Sequence, residues 1–161
     1  MKKFIQNKLK DQKGLTLIEL LAVIVILAII AAIAIPAIAG IIENSRVGAI
    51  KSDGINVINA ADLYVTGGGV GTTVSAIADG DTTDKDSVTV GELKAANYID
   101  DAGSLPDATT VHLERKSVSG TGTLNTTLSI DFVDATKADI SKVPNSQPDN
   151  TPLLGLTVNR P

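Results

Sequence analysis

Residues 13–36 read KGLTLIELLAVIVILAIIAAIAIP, and Glu19 is the only acid among them. The longer run at residues 20–42 contains no charged side chain at all. As a helix those 23 residues would span about 34 Å at ~1.5 Å per residue, which matches a hydrocarbon core of ~30 Å. The stretch therefore predicts a membrane-length helix with one carboxylate near its start.

The charge of the chain is divided on either side of this run. The first fourteen residues hold five lysines and one acid, a net charge of +4, whereas the remainder carries nine basic and seventeen acidic residues, a net charge of −8. Basic residues before an apolar span favour a cytoplasmic N-terminus, so the acidic part should cross the membrane. An acidic body also argues against a large phosphate-binding surface.

The helical pattern continues beyond the apolar run. Small or apolar residues recur every three or four positions between residues 47 and 65, which predicts one helix from about Leu15 to about Tyr64 with a second half that packs on a domain. The predicted buried stripe consists of Val47, Ile50, Gly54, Val57 or Ile58, Ala61 and Val65. A glycine run at residues 67–69 should end this helix.

The remaining residues predict a small antiparallel sheet. After a polar loop at residues 70–87, we expect a short helix at residues 90–98 capped by Thr89, then strands at residues 110–118 and 124–133 joined by a hairpin at residues 119–122. Residues 135–152 are expected to form a loop and residues 153–158 a third strand. The predicted fold class is α+β, a long helix packed on a three-stranded sheet within a domain at residues 66–161.

Glu19 raises a physical problem, because a carboxylate within an apolar helix is costly unless it is solvated at the headgroups or paired with a cation. Cleavage after Gly14 would create such a cation, the free ammonium of Leu15. An acid and an amine at this spacing can neutralise one another, within one chain or between two packed helices.

The residues Lys13-Gly14-Leu15-Thr16-Leu17-Ile18-Glu19 resemble the processing site of type IV prepilins and pseudopilins. The resemblance implies a leader at residues 1–14, cleavage after Gly14, N-methylation of Leu15, and an assembly charge pair between Glu19 and a neighbour's Leu15 amine. Leu15 departs mildly from the more usual phenylalanine. Pro36 falls where many of these pilins carry a helix-kinking proline, and it removes the helical partner of the Ala32 carbonyl.

The resemblance further implies how the protein works. Residues 15–42 would hold it in the cytoplasmic membrane as a single pass and then form a filament core, with residues 43–65 as the amphipathic half of the helix. The implied partners are further copies in a helical homopolymer, membrane lipid before assembly, a prepilin peptidase and methyltransferase, an assembly platform protein and its cytoplasmic ATPase. The extracellular pilus could contact DNA or surfaces, which the sequence does not specify.

Other functions remain open. The family also contains pseudopilins of type II secretion and of competence. Two small-residue sites near residues 32–39 resemble ordinary signal-peptidase sites, which would give a conventional secreted protein. A plain single-pass anchor is a further alternative, although it has no use for Gly14 or Glu19.

Catalytic and metal chemistry finds little support in the sequence. The chain has no cysteine and a single histidine, His112, which we expect to be a half-exposed strand residue. The glycine-rich run at residues 66–73 lacks the lysine of a phosphate-binding loop. Closely spaced acids suit calcium, so Asp79, Asp81, Asp84 and Asp86 are weak calcium candidates, but their spacing departs from that of an EF-hand and a solvated acidic loop is the simpler interpretation. No other cofactor is expected.

Overall fold

The computed structural model describes residues 16–72, 86–124 and 128–160. The chain divides into two compact units, Met1–Ile41 and Ile42–Pro161. Helix α1, Leu17–Thr66, runs through the boundary between them. Its end confirms the sequence prediction, because Gly68 follows with a positive φ of 89°, a conformation that closes helices and that glycine adopts without strain.

The part of α1 that lies in the second unit packs as its periodicity predicts. The predicted positions at 47, 50, 54, 57, 58 and 61 are buried, and Ala60 joins them. Two details were wrong. Val65 is 44% exposed, because it lies in the last turn, and Lys51, which the predicted stripe does not include, is only 8% exposed.

A five-stranded antiparallel sheet covers this part of the helix, rather than the three strands expected from the sequence. The strands follow one another in the order β1-β2-β3-β4-β5, so each pairs with its neighbour along the chain. They are β1 Ser87–Thr89, β2 Thr110–His112, β3 Ser117–Leu124, β4 Leu128–Thr136 and β5 Leu156–Asn159. β4 overlaps the strand predicted at residues 124–133, and Leu128, Ile130 and Phe132 alternate along it as buried residues.

The predicted hairpin at residues 119–122 was wrong. Those residues lie within β3 and pair with β4, for example Gly122 opposite Ile130, and the turn between β2 and β3 lies at residues 113–116 instead. Gly122 is required by packing rather than by a turn, because a Cβ there would lie 2.6 Å from Ile50 Cγ2 on α1. The sheet and the helix thus approach at a distance that only glycine permits.

Two short helices complete the second unit. Helix α2, Val90–Ala95, begins at the predicted cap Thr89, whose hydroxyl accepts the Glu92 N–H while the Glu92 carboxylate accepts the Thr89 N–H. Helix α3, Lys137–Lys142, lies where a loop was expected and begins with the same reciprocal arrangement between Thr136 and Asp139. A threonine followed three residues later by an acid was the signal that would have identified it.

Ion pairs join the last turns of α1 to the rest of the second unit. Asp62 Oδ2 lies 2.6 Å from Lys137 Nζ, and Asp62 Oδ1 lies 3.2 Å from Lys116 Nζ. Burial by itself would raise the pKa of Asp62, but the hydrogen bonds and charges of the two lysines outweigh that effect and lower it. The carboxylate therefore ties the β2–β3 turn and α3 to the helix.

Candidate functional site

Glu19 lies in the first turn of α1, and Thr16, just before the helix, provides its partners. Both the Thr16 N–H and the Thr16 hydroxyl donate to Glu19 Oε2, each at 2.8 Å. The Glu19 N–H lies 3.3 Å from Thr16 Oγ1 and donates to it. This reciprocal arrangement is a capping box, in which the two residues satisfy helix-terminal donors that would otherwise lack a partner.

The capping role of Thr16 was missed in the sequence, although Thr16-Leu17-Ile18-Glu19 before an apolar run is the pattern that signals it. It gives Glu19 a role within its own chain, in addition to the predicted pairing with an amine. The carboxylate is placed at the positive end of the helix dipole, which stabilises negative charge there. An acid at this position is therefore accommodated within a single chain before any neighbour arrives.

The cleavage residues Gly14 and Leu15 lie outside the described residues, as does the whole predicted leader at residues 1–14. The distance between the Leu15 nitrogen and the Glu19 carboxylate is therefore not part of the described geometry. Cleavage after Gly14, methylation of Leu15 and the pairing of Leu15 with Glu19 stay predictions.

The surface that follows Glu19 is apolar on every side. None of residues 17–42 is buried, and the large apolar side chains are exposed by between 46% at Ile42 and 84% at Leu17. α1 is long and apolar enough to cross a membrane, judged by length and composition. An exposed apolar surface of this extent needs lipid or protein around it, because water does not solvate it favourably.

Pro36 lies within this apolar surface, and α1 stays helical through it. A proline at this position donates no hydrogen bond, so the Ala32 carbonyl has no helical partner from residue 36. A kink of α1 at Pro36, which the resemblance implies, stays a prediction.

The histidine and the aspartates that the sequence offered as weaker candidates contribute little to this site. His112 is buried at 7% exposure, not half exposed, and its Nδ1 accepts the Arg115 N–H at 3.2 Å across the β2–β3 turn, a structural role. Asp79, Asp81 and Asp84 lie outside the described residues, and Asp86, just before β1, is half-buried. Within residues 16–72, 86–124 and 128–160, no three potential metal-ligating side chains come together, so the calcium candidate stays a prediction.

A family model for the prokaryotic N-terminal methylation motif matches residues 9–35. The match covers the end of the predicted leader, Gly14, Leu15, Glu19 and the apolar run as far as residue 35, just before Pro36. The chain therefore carries the motif found in the leader of type IV pilins, followed by a long apolar helix. Neither a curated protein nor a solved structure matches the chain.

Proposed function

We propose that this protein is the structural subunit of a type IV pilus. The observation that carries the proposal is the position of the methylation motif, which leads directly into a helix whose apolar half is exposed on every side. Such a helix is suited first to lipid and later to packing against identical helices. The arrangement is that of a polymer subunit rather than of a catalyst.

In this proposal the basic leader keeps the N-terminus of the precursor in the cytoplasm, and the acidic domain lies outside. A membrane-embedded prepilin peptidase cuts the bond between Gly14 and Leu15, and Leu15 is N-methylated. A methylated amine keeps its proton at neutral pH, so each mature subunit offers one cation at the start of its apolar helix. The subunit waits in the membrane as a single-pass protein.

Assembly then transfers the apolar helices from lipid into a filament core. Little hydrophobic free energy is gained, since both surroundings are apolar, so a cytoplasmic ATPase and an assembly platform protein supply the direction. The pairing of opposite charges sets the register between neighbouring subunits. The Glu19 carboxylate, held by Thr16 in the single chain, accepts the Leu15 amine of a neighbour, and a subunit placed out of register would bury an unpaired ion.

The major pseudopilin of a type II secretion or competence system is the alternative, because it would share the motif, the apolar helix and the charge pair. The two differ in their product, a long surface pilus or a short fibre within the cell envelope. Electron microscopy of cells with and without the gene distinguishes them. Long surface filaments that depend on the gene support the pilus. Filaments that are absent while protein secretion or DNA uptake depends on the gene would replace it with the pseudopilin.

A further inference from the structure

Residues 143–155 connect α3 to β5 with almost no regular structure, and we name them the C-terminal strap. Apart from one isolated bridge at Leu153, the strap contains neither helix nor strand. Val143 and Gln147 are nevertheless buried, at 1% exposure each. A segment of this kind must be held by specific contacts, because it lacks the repeated hydrogen bonds of a sheet or helix.

The first of these contacts is Lys51 of α1. Its ammonium donates to the backbone carbonyl of Val143 and, at 3.1 Å, to Asn145 Oδ1. Burial lowers the pKa of Lys51, because the charged form loses water. No carboxylate forms an ion pair with this ammonium among the described residues. The strap oxygens therefore replace the lost water, and Lys51 depends on the strap as much as the strap depends on Lys51.

The second contact is Arg160, which follows β5 and lies on the C-terminal side of the strap in sequence. Its guanidinium donates to the backbone carbonyls of Asn145, at 2.7 Å, and of Gln147. It also pairs with the Asp149 carboxylate at 2.7 Å. The Arg160 side chain is only 15% exposed, so these bonds are formed in a partly desolvated place where charge-assisted bonds are strong.

Arg160 also reaches α1. Its Nε lies 3.5 Å from the buried Glu43 Oε1, an atom that has no hydrogen bond within the described part of the chain, so the attraction there is one of charge. Gly48, between Glu43 and Lys51 in sequence, leaves the space that Asn145 occupies, since a Cβ at Gly48 would lie 2.9 Å from Asn145 Nδ2. Asn145 is thus the point at which both cations and the helix meet.

We propose that Lys51 and Arg160 form a two-cation clasp that keeps the C-terminal strap closed, and that opening the strap is a local event separate from unfolding of the sheet. The chain contains no cysteine, so no disulfide can hold the strap. Each cation binds backbone oxygens that no side-chain substitution within the strap removes. Loss of either cation removes one of the two hydrogen bonds that hold Asn145 and the strap opens, while strands β1 to β4 keep their pairing.

Amide hydrogen exchange of the full chain in detergent micelles tests the proposal. The variants are Lys51→Met, which keeps the length of the buried side chain, and Arg160→Gln; Lys142→Met, at an exposed position beside the strap, is the matched control. We expect exchange within residues 143–155 to accelerate about tenfold in both variants. Peptides from β3 should stay within about twofold of the unmodified chain, and the control should change neither region.

The proposal is overturned if strap exchange is unchanged in either variant, because the cation removed in that variant is then dispensable. It is also overturned if strap and sheet accelerate by the same factor, since the strap would then open only with global unfolding, or if Lys142→Met has the same effect. Should Lys51→Met fail to fold, Arg160→Gln decides by the same two criteria. The double variant should exchange no more than about twofold faster than the faster single variant, because both cations act through Asn145.

Discussion

The two halves of α1 belong to one helix but differ in how much of their surface is buried. None of the described residues up to Ile42 is buried, whereas positions 47 to 61 carry a stripe of eight buried residues against the sheet. The difference follows from the sequence, because an apolar surface on all sides has no preferred partner within its own chain and a periodic stripe has one. The second half is complete within the subunit. The first half leaves its apolar surface exposed, and in the proposed function lipid or other copies cover it.

Replacing Glu19 should have the largest effect, and this effect should be confined to the first half of α1. In Glu19→Ala we expect normal processing after Gly14 but loss of assembled filament, because a subunit can no longer pair with a neighbour's amine. The thermal midpoint of the domain should stay that of the unmodified protein, since Glu19 lies outside the domain core. Electron microscopy and the mass of the mature subunit measure both effects. Filaments in unmodified amounts would contradict the pairing role.

Truncating one isoleucine in each half gives the next largest effect. Ile50 is completely buried, so Ile50→Ala should lower the free energy of unfolding of the domain by about 2–5 kcal/mol. Ile33 is 71% exposed, so the same substitution there should leave the domain unchanged. Chemical denaturation of the full chain in micelles measures both. Equal losses in the two variants would show that the halves are not independent in stability.

Lowering the pH should destabilise the domain that contains the second half of α1, because Asp62 becomes protonated. Because the two lysines lower its pKa in the folded state, the unfolded chain binds more protons in the range between that lowered pKa and the ordinary pKa of about 3.9. The contribution of Asp62 to the free energy of unfolding is therefore present above the ordinary pKa and is lost as the pH falls through the lowered pKa. Asp62→Asn should cost on the order of 1 kcal/mol at neutral pH, and this difference should shrink towards pH 2. A difference that stays constant with pH would exclude the ion pairs as its cause.

The smallest effect is expected at Thr16. Thr16→Val removes the hydroxyl from the capping box, so amide exchange over residues 17–20 should accelerate about fivefold in micelles. Thr16→Ser keeps the hydroxyl and should exchange like the unmodified chain. Filaments should still form in both, because Glu19 itself is retained. No difference between the valine and serine variants would mean that the cap does not hold the start of α1.

Long and strongly periodic features were predictable from the sequence, and short ones were not. The apolar run, the buried stripe of α1, the alternation in β4 and the cap of α2 at Thr89 each rest on several residues with one pattern. The three residues of β1 offer too little pattern to stand out from a polar loop. Helix α3 carries the same capping signal as α2, but that signal was missed because three prolines at residues 144–152 made the whole segment resemble a loop.

The misplaced hairpin has a specific physical cause. Glycines at residues 120 and 122 resemble a turn in sequence, but Gly122 serves the close approach of β3 to Ile50. The true turn at residues 113–116 contains no glycine, and Lys116 adopts a positive φ of 54° there. The burial of Lys51 was missed because only the folded strap shows which oxygens can accept a buried ammonium.

The proposed charge pair depends most directly on where the mature chain begins. Mass spectrometry of the protein isolated from cells should find a chain that starts at Leu15, with one methyl group on its terminal nitrogen, so that the apolar half of α1 carries both members of its charge pair. A chain that retains residues 1–14, or one that starts near Gly40, would contradict it, because the amine that Glu19 requires would then be absent.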